Sequence, residues 1–228
     1  MFAFSQLALA LATFAGALAA PAADPVAEPA FEAPDFEFSS SKDLIKRQDY
    51  NQNYKTSGTV NFSPTSNGYS VQFSSAGDFV VGKGWSKGTN RNINFSGSTS
   101  ATAGTVLVSV YGWTTSPLIE YYIQEYTSNG AGSAQGQKVG TVTCDGSVYD
   151  IWKHQQVNQP SIQGTSTFWQ YISNRQTKRP GSGTVTTQCH FDAWAKLGLN
   201  LGTHNYQTLS TEGWGSAGGS SQYTVSGS

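Results

Sequence analysis

The chain has 228 residues and a formal net charge of −1, with 12% charged and 13% aromatic residues. No basic patch or charge run offers a face for nucleic acid, and nothing after residue 20 is long and apolar enough to span a bilayer. Once its two leading segments are set aside, the remaining length suffices for one sizeable core.

Those segments come first in the chain. Residues 1–20 carry no charged side chain and end in the small residues Ala17-Leu18-Ala19. This predicts a secretory signal peptide over 1–19, with a membrane anchor as the alternative. Residues 20–47 hold four of the eight prolines and six of the fourteen acids. That composition predicts a disordered acidic propeptide, ending at the dibasic pair Lys46-Arg47. Residues 48–228 are then one catalytic or binding domain with formal charge +2, from ten Lys/Arg and eight Asp/Glu.

From Thr56 onward, short runs of Val, Ile, Thr, Tyr, Phe and Ser are broken by Gly, Asn, Asp or Pro every 8–12 residues. The spacing predicts an all-β sandwich or barrel. One stretch differs: in Cys189–Gly198, Phe191, Trp194 and Ala195 recur at helical spacing and Gly198 suits a C′ stop, which predicts one short helix. Cys144 and Cys189, the only cysteines, are expected to pair in an oxidising compartment. Such a bridge would stabilise the fold by about 4 kcal/mol. The sequons at Asn61 and Asn94 are candidate glycosylation sites.

Only three glutamates remain in this body: Glu120, Glu125 and Glu212. Alternation puts Glu120 on one strand face with Tyr122 and Gln124, and turns Glu125 the other way with Ile119, Tyr121 and Ile123. It also groups Tyr206, Thr208, Ser210, Glu212 and Trp214, with Leu209 opposite. Two acids on wet aromatic faces suit acetal hydrolysis, in which one carboxylate attacks and a protonated partner acts as acid. Solvated strand acids are the alternative reading. Gly84-Trp85-Ser86-Lys87-Gly88 matches the G-x-S-x-G pattern but lacks the helix that a nucleophile elbow needs. His154, His190 and His204 show no metal-ligand spacing, and the glycines from 130 to 136 read as turns. No cofactor or metal is expected.

Tyr111-Gly112-Trp113 followed by Pro117-Leu118-Ile119-Glu120-Tyr121-Tyr122-Ile123 resembles the nucleophile strand of glycoside hydrolase family 11, the endo-1,4-β-xylanases. The resemblance continues through Asp78–Trp85, Asp145–Asp150, Val157–Ile162, His190–Trp194 and Thr211-Glu212-Gly213, and covers nearly all of 57–228. It implies a β-jelly roll of two antiparallel sheets with one helix and a thumb hairpin over a cleft. It further implies a secreted, retaining enzyme acting on xylan, with Glu120 as nucleophile and Glu212 as acid/base. Tyr111, Tyr122, Gln170, Tyr206 and the carbonyl of Pro160 at the thumb tip would bind substrate. Cys144 and Cys189 stand where some members carry a disulfide between a strand and the helix. Asp78 occupies the position beside the acid/base, where Asp in place of Asn implies an acidic pH optimum through a shared proton. Two features depart from the family. Gln156 replaces its usual Arg, and the distal stacking Trp has no counterpart, leaving Tyr50 or Tyr54 as candidates. A monomer is the default. A lectin-like jelly-roll module, or the same sandwich acting on β-1,4-glucan, are the competing readings.

Overall fold

A computed structural model describes residues 48–228 apart from 131 and 133. The expected signal peptide and propeptide, with Lys46-Arg47, lie outside the described residues. The strands are β1 (Tyr50–Lys55), β2 (Thr59–Pro64), β3 (Gly68–Ala76), β4 (Phe79–Trp85), β5 (Asn92–Thr115) and β6 (Ile119–Thr127). They continue with β7 (Gln137–Cys144), β8 (Ser147–Ser161), β9 (Gly164–Arg175), β10 (Ser182–Thr186) and β11 (Thr203–Gly227), and helix α1 (Thr187–Lys196) precedes β11.

The strands form a jelly-roll sandwich whose main ladder runs β1-β4-β11-β5-β6-β9-β8-β7, with β10 on β5, β3 on β11 and β2 on β3. Every pair is antiparallel except β6–β9, which is parallel. Turn spacing predicts breaks every 8–12 residues, yet β5 and β11 run for 24 and 25 residues. Their glycines bend the chain instead of ending it. Gly104 and Gly215 adopt φ +65° and +71°, and the β5–β11 register slips between Trp214 and Gly218. The first half of β11 therefore pairs with β4 and the second half with β3, so the same strand serves both layers.

Alternation sorts the side chains. Phe79, Val81 and Trp85 of β4 and Tyr121 and Ile123 of β6 enter the core between the layers. Val80 and Tyr122 point the other way and join Leu107, Tyr111, Trp113, Phe168 and Tyr206 in a second cluster. That second cluster floors a cleft.

Helix α1 begins two residues earlier than its periodicity predicts. Asp145 explains this: its Oδ2 accepts from the Thr186 N–H at 2.9 Å and its Oδ1 from the Thr186 hydroxyl at 2.7 Å, fixing the chain just ahead of the first turn. At the other end Gly198 has φ +77°. Its N–H bonds the Ala195 carbonyl and the Leu199 N–H bonds the Trp194 carbonyl, both at 2.9 Å, giving the Schellman stop expected at that glycine. Trp194 is fully buried and donates from Nε1 to Ser173 Oγ at 3.0 Å. The Cys144–Cys189 disulfide ties β7 to the same helix.

Candidate active site

Glu120 sits directly opposite Trp113 on β5 and Gln170 on β9. This register aims three neutral donors at one carboxylate. Tyr111 Oη donates to Oε1 at 2.7 Å, Tyr122 Oη donates to the same oxygen at 3.1 Å, and Gln170 Nε2 donates to Oε2 at 2.7 Å. Trp113 Nε1 donates to Tyr111 Oη at 2.7 Å and so fixes the phenol that fixes the acid. Burial raises the Glu120 pKa, while the bonds from Gln170, Tyr111 and Tyr122 pull it back down.

Glu212 lies on β11 in register with Val80 of β4, which in turn faces Tyr54 of β1. It is buried, and its Oε2 has no hydrogen-bond partner among the described residues. Burial first, then the charges of Asp78 and Glu120, push its pKa well above the usual carboxylate range, against a lowering contact from Tyr122. The two acids are thus driven apart: the more solvated by donors is the better anion, and the one left with a bare oxygen keeps its proton. Asp78, two residues before Val80, is itself exposed to solvent. Protein crowding its carboxyl still raises its pKa.

A second row crosses the sheet through Tyr50, Gly84, Thr208, Tyr111 and Tyr122. A Cβ on Gly84 would meet the Gln207 carbonyl oxygen at 2.2 Å, so only glycine lets β4 close on β11 there. Tyr50 stacks on Tyr206 with ring centroids 4.5 Å apart and planes 17° apart. The β8–β9 hairpin overhangs this floor and brings Pro160, Ser161 and Ile162 to it. The resulting cleft holds about 520 Å³.

All eight expected cleft residues meet here: Asp78, Tyr111, Glu120, Tyr122, Pro160, Gln170, Tyr206 and Glu212 line the same cavity, with Gln156, Tyr50 and Tyr54. The floor is drier than the sequence predicts. Thr208 and Ser210 are wholly buried, with their hydroxyls 2.7 Å apart. Trp113 and Phe168 are lining residues that sequence reasoning did not assign. The two-residue spacing of Tyr111 and Trp113 was the available signal for the first.

Other candidates lie elsewhere. Glu125 faces the opposite side, as alternation predicts, and is fully buried against Arg179 Nε at 2.7 Å, with Tyr149 Oη donating at 2.7 Å. Asn61 is exposed on β2, whereas Asn94 is half-buried and its Oδ1 accepts from Thr184 at 2.6 Å. Ser86 of the G-x-S-x-G stretch bonds Asp49 at 2.6 Å, with no helix following it. His190 is buried on the ring of Tyr149, and its pKa is lowered to about 4 by burial.

The family model described as Glycosyl hydrolases family 11 matches residues 46–223. The chain belongs to glycosyl hydrolase family 11. It is 49% identical to endo-1,4-beta-xylanase 1 of Hypocrea jecorina over 97% of this chain and 98% of that protein. It is 58% identical to an ethylene-inducing xylanase of Penicillium digitatum over 74% and 77% of the two chains. A solved structure from a comparison of two major endo-1,4-beta-xylanases of Trichoderma reesei superposes with a TM-score of 0.75. That pair is 54% identical, over 78% of this chain and 98% of the other.

Proposed function

We propose that this family 11 glycosidase is a secreted endo-1,4-β-xylanase that cuts internal xylosidic bonds with retention. The observation that carries the chemistry is the unequal treatment of two buried carboxyls in one cleft. Glu120 is held as an anion by three neutral donors, while Glu212 is desolvated and keeps an unpartnered oxygen. In the first step Glu120 attacks the anomeric carbon as the proton of Glu212 passes to the leaving glycosidic oxygen. In the second, Glu212 takes a proton from water, which displaces Glu120 and restores both groups. The Tyr122 hydroxyl neighbours both acids, which supports the short separation that retention needs. Tyr111, Tyr122, Gln170, Tyr206 and Pro160 contact the sugars, with Asp78 coupled to Glu212 and favouring an acidic optimum.

Residues 1–19 direct export, 20–47 are removed after Lys46-Arg47, and 48–228 act as a monomer. The likeness to xylanases along nearly the whole chain favours xylan over β-1,4-glucan. The test has two parts. Early product from a linear xylo-oligosaccharide should carry the β-anomer by proton NMR, and Glu120→Gln should abolish reducing-sugar release while leaving polymer binding. An α-anomer would refute retention. Wild-type binding without cleavage would favour a lectin-like module.

A further inference from the structure

Among the described residues, one tryptophan lines the cleft, Trp113. In a groove that grips sugars, the expected use of an indole is as a platform under a pyranose ring. The surroundings of Trp113 leave little room for that use. Only 3% of the residue is exposed, and Phe168 of β9 lies against it with ring centroids 4.8 Å apart and planes 59° apart. Its polar edge is also committed, because Nε1 donates to Tyr111 Oη at 2.7 Å.

An indole N–H can only donate, whereas a phenol oxygen both accepts and donates. Once Tyr111 Oη has accepted from Trp113, its own proton goes to Glu120 Oε1, 2.7 Å away. A competing acceptor stands close by. The Tyr206 hydroxyl contacts both Tyr111 and Trp113, and the Tyr111 and Tyr206 ring centroids are 5.9 Å apart. Without the indole donor, the Tyr111 proton is free to turn to Tyr206, which leaves a lone pair facing the carboxylate. We propose that Trp113 is a positioning residue for the nucleophile: its N–H sets the direction of the Tyr111 proton, and Phe168 holds the indole in place. The effect reaches Glu120 only through the Tyr111 oxygen. The other titratable groups that act on Glu120 are Tyr54 on β1, Asp78 ahead of β4, Tyr122 on β6 and Glu212 on β11. The indole N–H donates to none of them. The inference rests on the glycosidase reading above.

Trp113→Phe keeps an aromatic ring and removes the N–H. On a linear xylo-oligosaccharide kcat should fall about tenfold, while KM stays within about twofold. The acid limb of kcat/KM should move upward, because the Tyr111 bond is among those that lower the Glu120 pKa. A purely structural role would lower the melting midpoint and leave that limb in place. In a Tyr111→Phe background the same substitution should change kcat by less than about twofold. There it should also recover part of the lost melting midpoint, since it removes a donor that has already lost its acceptor. If Trp113→Phe does not fold, Phe168→Leu loosens the indole and should move kcat and the acid limb in the same directions. An unmoved acid limb, a raised KM with kcat unchanged, or an undiminished effect in the Tyr111→Phe background overturns the inference. A wild-type enzyme that leaves linear xylan uncut would instead overturn the glycosidase reading itself.

Discussion

Tyr111→Phe removes a single oxygen from the middle of a chain that runs from Trp113 Nε1 to Tyr111 Oη to Glu120 Oε1, each link 2.7 Å long. The ring that remains keeps its packing against Tyr122 and Tyr206, whose centroids lie 5.0 and 5.9 Å away. A hydrogen bond to a charged acceptor contributes about 1.5–3 kcal/mol, and the orphaned indole N–H costs about 1–3 kcal/mol more. At about 2–4 °C per kcal/mol for a domain of this size, the melting midpoint should fall by at least about 5 °C. The sign of the pH effect follows from the causes acting on Glu120. Burial and Asp78 raise its pKa, and the Tyr111 bond is one of three that lower it. Losing that bond moves the pKa up, so the attacking anion forms only at higher pH and the acid limb of kcat/KM shifts upward. On that limb the rate should drop about tenfold or more. The alkaline limb, set by Glu212, should hardly move. Thermal melts and pH–rate profiles on linear xylan read both effects. A lowered midpoint with an unmoved acid limb would refute the role in catalysis and leave Tyr111 a packing residue.

Asp78→Asn should move the acid limb upward. The Asp78 pKa is itself raised, so at acidic pH it holds a proton to share with Glu212 and does not act as a fixed charge. A downward shift of both limbs would assign it a purely Coulombic role. Replacing Cys144 and Cys189 together by Ala frees a loop of 45 residues and should cost about 4 kcal/mol, lowering the melting midpoint by roughly 8–16 °C with kcat unchanged. Glu125→Gln leaves Arg175 and Arg179 without their shared anion and should cost about 3–5 kcal/mol, again without effect on folded-state kcat. A normal melt in the cysteine variant would show that the helix is held by its other contacts, and one in Glu125→Gln that the two arginines are satisfied without that charge.

Much of the cleft was legible because it is written in strand alternation. Glu120 and Tyr122 fall on one face, Tyr121 and Glu125 on the other, and the pleat leaves no choice once a strand exists. The family motifs then brought Glu212, Gln170 and Asp78 to the same cavity. Alternation says nothing about which strands become neighbours, however. The parallel pairing that puts Gln170 beside Glu120, and the stack of Tyr50 on Tyr206, depend on contacts between segments far apart in sequence. The length of β5 was also hidden, since glycines that usually punctuate strands here bend one that continues. The early start of α1 goes with the bonds that anchor Thr186 to Asp145, 41 residues upstream, a contact no local window contains.

Glu120 and Glu125 share one strand and are both buried, yet the protein treats them in opposite ways. Glu125 is met by two guanidinium groups and a phenol on the core side. Such a site neutralises the anion and fixes it, and any electrophile is kept out by the sandwich around it. Glu120 receives only neutral donors, which offset part of the cost of burying its anion without cancelling its charge. A guanidinium in that place would lower its pKa and weaken it as a nucleophile. It would also place a cation where positive charge must develop on the sugar, opposing the oxocarbenium-like transition state. The neutral cradle of Tyr111, Tyr122 and Gln170 meets this electrostatic requirement.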